Sequence, residues 1–467
     1  MTRRLWLGGA AAAVAAGLAV GAIVPAARAD QALAVTAPSL ELRHYRLDNG
    51  LEVVLHRDPA VTSVVVHVRY HVGSKDEVPG KTGFAHLFEH LMFEGSAHVG
   101  EGEFDALLEA AGGWNNGTTN ADRTNYFEQV PASFLPLALW LEADRMAGLW
   151  DAMNQTVLDN QRDVVKNERR QSYENQPYGL ASLVVQQALW PPGHGNHNLT
   201  IGTMEDLTAA TLADVEAFWR TYYRPSNATL VIAGGIDLDA AQALVATYFA
   251  WMPARPAPAR VTLEQPVVPL AGPVELEATD RVQAAAVLMA WRTDAPLTPA
   301  AVDLAVAAQL LGGGKTSRLY RRLVFTDRLA TDVYVRQADQ VLGGELQLEA
   351  IARDGVTAEE VRDAIRQELA ALRDAPPAAA EVERARRVLE ASRLGGLENL
   401  ASRADAIAEW AALTGDPDHL AEELALLRAV TPASLHATVK AWLGADAAVT
   451  MLVRPEAAAD GGEAGGK

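Results

Sequence analysis

The chain has 467 residues, of which 49% are hydrophobic and 21% charged, with a formal charge of −19 and no cysteine. This is ordinary soluble globular composition, and the length allows more than one core. The negative charge argues against nucleic acid or an anionic membrane surface as partner, because nothing would neutralise phosphates. Without cysteine there are no disulfides, and any metal site is built from His and carboxylates.

In chain order, the first element reads as an export signal over residues 1–29. It has a basic start, Arg3-Arg4, then an apolar run, then a small-residue site Ala27-Arg28-Ala29 before Asp30. The alternative, a retained anchor, has a long apolar run in its favour but a composition rich in Ala and Gly against it. No stable membrane anchor is expected after cleavage, and the expected location is the periplasm of a bacterium. "TRRLWL" partly resembles a twin-arginine signal, so both the general secretory and the twin-arginine route stay open.

Residues 30–253 then form a first unit. It has alternating strand-like runs, "LEVVLHRD" and "TSVVVHVRYHVG", then helices, and it closes on "NATLVIAGGID". Residues 254–273 carry Pro256, Pro258, Pro266, Pro269 and Pro273 without a helical period, which suits a linker. Residues 274–456 repeat the order of elements at a displacement of about 220 residues. "QAAAVLMAWRTD", "AVDLAVAAQLLGGG" and "DAAVTMLVRP" answer the early strand, the first helix and the closing strand. The expected fold is α+β in two homologous domains. Each is an antiparallel sheet with helices on one face, and together they form half of a clamshell. The tail, residues 457–467, is expected to be disordered.

The chemistry concentrates in "GFAHLFEHLMFEGS", residues 83–96. A helix is predicted over 82–94, ending at Gly95. Phe84, Phe88 and Leu91 fall on one face, and His86, Glu89, His90 and Phe93 on the opposite one. Histidines at i and i+4 can reach one ion. Glu89 lies beside them as a base for a water molecule rather than as a ligand. A chance meeting of these residues on a surface helix has a frequency on the order of a few in a hundred, so a third ligand has to decide.

The motif resembles that of the pitrilysin/insulinase family of inverted-zincin metallopeptidases, in the bacterial type of its mitochondrial-processing-peptidase-like branch. "VVKNERRQSYENQPYG", "GGWNNGTTNADRTNYFEQVP", "LWPPGHGNHNLTIGTMEDL" and "FWRTYYRPSNATLVIAGGID" are similar to further family segments. The resemblance implies one Zn2+ per chain, held by His86, His90 and Glu168, with Glu89 catalytic. The local pattern agrees, since Leu158, Gln161, Val165 and Glu168 share one helical face, and an acid on an inward face needs a partner. Two His and one Glu leave a fourth position open, as in catalytic rather than structural zinc sites. The family usually has a glutamate where this chain has Gln161, a group that orients a ligand and tunes its charge. Gln161 can hydrogen-bond but carries no charge.

"WNNGTTNADRTNYFEQV" alternates as an edge strand does. In the family this edge pairs with an extended peptide, so the resemblance implies that Asn116 and Gly117 bind substrate beside the scissile bond. The alternative for "NNG" is a tight turn. His194 and His197 sit in a loop without acids and read as structural. Asn198-Leu199-Thr200 is a common glycosylation triplet, and Gly312–Gly314 lacks phosphate-loop spacing and reads as a helix end.

The second unit carries no metal motif. Leu304, Ala307 and Ala308 stand where the first has His86, Glu89 and His90. Self-sufficient relatives carry an Arg and, seven residues on, a Tyr in this unit, and close four such units around the peptide. Here those positions are Val324 and Thr331. The resemblance therefore implies a zinc endopeptidase acting on a peptide substrate, together with a homologous inactive subunit that carries the Arg/Tyr pair. A homodimer is the runner-up. A non-catalytic scaffold subunit and a zinc-storage protein are the competing readings. A scaffold has no need of all four motif residues, and a storage protein has no need of Glu89 or of an edge strand.

Overall fold

Six strands of the first half pair into one sheet: β1 (Glu41–Arg46), β2 (Glu52–Arg57), β3 (Ser63–Tyr70), β4 (Trp114–Thr119), β5 (Thr124–Pro131) and β6 (Ala228–Gly234). Five strands of the second half form another: β7 (Val274–Asp280), β8 (Ala286–Thr293), β9 (Ala330–Ala338), β10 (Gly344–Ala352) and β11 (Val449–Pro455). The computed structural model describes residues 37–444 and 447–456. The export signal and the tail read from the sequence lie outside them.

The sheet orders are β1-β2-β6-β3-β5-β4 and β7-β11-β8-β10-β9. Position by position the second repeats the first without β1, so β8 answers β3 and β11 answers β6. Each sheet is antiparallel except for one parallel pair, β2 with β6 and β7 with β11. Both pairs close long connections, which parallel strands require. The fold is thus α+β with two like sheets, and the described residues from Ser39 to Glu456 belong to one compact unit.

Strand β3, "SVVVHVRY", is buried along nearly its whole length, which a sheet covered on only one face would not produce. Val64, Val66 and Val68 pack in the core of the first-half helices. The alternate residues turn toward the helix Leu400–Thr414, which belongs to the second half and lies on β3 and β6. His67 Nε2 lies 3.3 Å from Asp405, Asn125 Nδ2 donates to Asp405 at 2.6 Å, and Arg403 bonds Asp58 at 2.6 Å. The exchange is reciprocal. The first-half helix Gly179–Leu189 sets Ala181, Val185 and Leu189 against Ala286, Leu288, Ala290, Val449 and Met451 of the second sheet. Helices from its own half thus cover one face of each sheet, as expected, and a helix from the other half covers the second.

Candidate metal centre

The motif helix runs Phe84–Leu91, shorter at both ends than the predicted 82–94. Its start is set by Gly83 at φ 85°, where an added Cβ would lie 2.8 Å from the Ile201 carbonyl oxygen. The Thr82 N–H is held by Asp206, and Glu77 accepts from the Gly83 and Ala85 N–H groups, satisfying free donors of the first turn. At the other end the backbone tightens, with Phe93 N–H bonding His90 and Glu94 N–H bonding Leu91. Phe84, Phe88 and Leu91 are 3%, 1% and 0% exposed. Burying each contributes roughly 1.5–3 kcal/mol, enough to fix which way the opposite face points.

That opposite face carries His86, Glu89 and His90. Glu168 arrives on the helix Gln155–Arg169, capped by Asn154 and anchored by fully buried Leu158 and Val165. Glu168 Oε2 lies 3.3 Å from His90 Nε2 and 3.7 Å from His86 Nε2. The three ligand atoms lie within 4.8 Å of one another, and among the described residues no other such cluster of His, Cys, Asp or Glu occurs. Zn–N and Zn–O bonds near 2.1 Å at tetrahedral angles put ligand atoms about 3.4 Å apart, so the donor set fits zinc. The neighbouring cations do not compete for Glu168, since Arg169 pairs with Glu174 and Arg170 with Asn167.

Electrostatics suit a metal as well. Burial, then the neighbouring His90, pushes the His86 imidazole down to about 4, and burial lowers His90 although Glu168 pulls the other way. Both shifts favour the neutral ring, whose lone pair is free to ligate. Burial pushes the Glu89 carboxyl up to about 7, opposed by a hydrogen bond from Thr119 and by the charge of Arg123. At that value the group can both take and return a proton near neutrality.

Glu89 lies against β4, the outer strand of its sheet. Thr119 Oγ1 donates to Glu89 Oε2, and a Cβ on Gly117 would come within 3.1 Å of Glu89 Cγ and of the Phe93 ring. A larger residue at this position would crowd the Glu89 side chain and the Phe93 ring. Asn116 is exposed, and its Oδ1 accepts the Gly117 N–H at 2.8 Å. Asn116 and Gly117 are strand residues rather than a tight turn. Gln161 donates to Glu94 Oε1 at 2.7 Å and also reaches the His90 ring.

Two residues of this neighbourhood escape the sequence reading. Thr119 shares the strand face of Gly117 two positions on, a signal that strand alternation offers once Gly117 is placed. Glu94 has no local signal. The loop histidines take structural contacts: His194 stacks on Trp190 at 4.3 Å, and His197 Nδ1 lies 2.7 Å from the Trp190 carbonyl. Gly312 ends the helix Pro299–Gly312, in which Leu304, Ala307 and Ala308 are buried.

Comparison with known proteins gives the class. Residues 52–206 match the profile described as insulinase (peptidase family M16), and residues 209–389 match that of the peptidase M16 inactive domain. The chain belongs to the insulinase family, peptidase family M16. It is 30% identical over 298 residues to the zinc protease PqqE of Helicobacter pylori, a match covering 62% of this chain and 65% of that protein. An uncharacterized zinc protease of Streptomyces coelicolor is 25% identical over 421 residues, 88% of this chain and 89% of that one. The crystal structure of a protease from Helicobacter pylori superposes with a TM-score of 0.82 at 26% identity, covering 89% of this chain and all of the other. The second profile begins at residue 209, within the first half, so it takes in β6 as well as most of the second sheet.

Proposed function

We propose that this chain is a zinc-dependent endopeptidase that hydrolyses extended peptides or precursor segments. The observation that carries the reading is the convergence of His86, His90 and Glu168 with Glu89 beside them and a free sheet edge alongside. The family membership and the relatives named as zinc proteases support it. One Zn2+ per chain would be held by His86, His90 and Glu168. When bound, it supplies Lewis-acid polarisation of a carbonyl and acidifies a water molecule.

The chain's own residues do the rest. Strand β4 takes the peptide as an added strand, and backbone hydrogen bonds hold it without reading its sequence. Gly117 lets that backbone approach Glu89, and the free amide of Asn116 is available to a substrate carbonyl. Glu89 takes a proton from water and passes it to the leaving amine. Thr119 fixes the rotamer of Glu89, so Thr119→Val is expected to lower kcat roughly tenfold, as loss of one hydrogen bond to a charged group does. KM and zinc content should stay unchanged, and Thr119→Ser should restore the rate. Equal turnover in Thr119→Val and wild type would remove this role.

Residues 30–253 act as the catalytic domain, 254–273 as a linker and 274–456 as the inactive homologous domain. Residues 1–29 direct export to the periplasm, and among the described residues no helix is long and apolar enough to cross a membrane. The scaffold reading draws on the match to an inactive-domain profile, but that match begins at residue 209, after all four motif residues. The test is metal analysis. Purified protein should hold one zinc per chain, and His86→Ala and His90→Ala should each lose it. Unchanged metal content in both variants would sink the assignment.

A further inference from the structure

The two ligand histidines differ in what lies behind them. His86 Nδ1 is buried without a hydrogen-bond partner. The His90 ring is met by the side chain of Gln161, whose amide in turn donates to Glu94 Oε1 at 2.7 Å. Gln161 sits seven residues before Glu168 on the same helix, so it faces the motif helix, and Glu94 lies just beyond that helix's last turn. The three side chains thus form a line from the ligand ring through a neutral amide to a carboxylate.

A ligand imidazole binds metal best when a carboxylate or carbonyl orients the ring and raises its basicity. An amide whose N–H is held by a carboxylate presents a more strongly polarised oxygen to its other neighbour, because hydrogen bonds in a chain reinforce one another. We infer that Glu94 is a positioning residue for zinc, acting on His90 through Gln161. Gln161 sets the geometry, and Glu94 supplies the negative charge that an amide cannot carry. The inference rests on the zinc reading above and goes beyond it in naming a residue that touches no metal.

The experiment measures affinity for Zn2+ by competition with a chromophoric chelator at pH 7, using the full chain and no peptide substrate. Glu94→Gln keeps a hydrogen-bonding side chain and removes only the charge. Glu94→Ala removes both. Affinity is expected to fall severalfold in Glu94→Gln and about 10–100-fold in Glu94→Ala. The double variant Glu94→Gln/Gln161→Glu moves the carboxylate one step inward on the same line and should return affinity to within about threefold of wild type. Wild-type affinity in both single variants would overturn the inference, as would a double variant no tighter than Glu94→Gln. His86→Ala separates the two levels. If it loses zinc while the Glu94 variants keep it, only the role of Glu94 fails. If it binds as wild type does, the zinc site itself fails.

Discussion

Glu89→Gln is expected to keep its zinc and its peptide affinity while hydrolysis falls by about 10²- to 10⁴-fold. Glutamine has nearly the same shape and can still accept from Thr119, so the site should stay assembled. It cannot take a proton from water. The wild-type enzyme should also lose activity as pH falls, because Glu89 works only when unprotonated. Burial pushes its carboxyl up to about 7 in the metal-free site, and the positive charge of bound zinc would draw that value down. The acid limb therefore lies at or below neutrality, and Glu89→Gln should lack it. Single-turnover rates across pH with metal content measured in parallel give the answer, and near wild-type turnover in Glu89→Gln would rule out the role. The same variant separates a peptidase from a scaffold, because a scaffold would be indifferent to it.

What was legible in the sequence was whatever a local period encodes. Phe84, Phe88 and Leu91 at helical spacing placed the motif helix and its chemical face, and Leu158 and Val165 did the same for the helix bearing Glu168. Alternation placed β3 and the edge strand β4. The internal displacement of about 220 residues foretold the repeated strand order. Contacts made across the fold carry no such signature. The parallel pairing of β2 with β6 joins segments far apart in sequence. Nothing local in the helices Gly179–Leu189 and Leu400–Thr414 says that each packs on the other half's sheet. A trace is left in β3, where His67 and Arg69 interrupt an apolar run because they face the acids Asp405 and Glu409 of the covering helix. The bond between Gln161 and Glu94 spans 67 positions. Neither the turn after the motif helix nor the middle of the ligand helix announces it.

Addition of a homologous subunit should raise peptidase activity by roughly 10²-fold or more over this chain alone, the effect of supplying missing transition-state donors. The reason lies in the second half. Val324 is buried in that half's core, with its carbonyl accepting from Arg353. Thr331 is exposed on β9, and its hydroxyl donates to the Ile351 carbonyl at 3.2 Å. Neither can offer a substrate carbonyl the charge-assisted and phenolic hydrogen bonds of the Arg/Tyr pair that the family resemblance places here. Zinc and Glu89 would then act on a peptide held mainly by its backbone along β4, with little binding energy spent near the reacting carbonyl. We propose that the missing pair comes from a partner of similar length, itself without the zinc motif, that closes over this chain's open edge. A homodimer brings only a second Val324 and Thr331, so it would have to bind substrate in another way. The assay compares the purified chain alone, as a concentration series, with the chain mixed with the product of an adjacent reading frame. Activity that appears only in the mixture, and is lost when the partner's Arg or Tyr is substituted, is the expected result. Full peptidase activity from this chain alone, unchanged by any partner, would show the idea to be wrong.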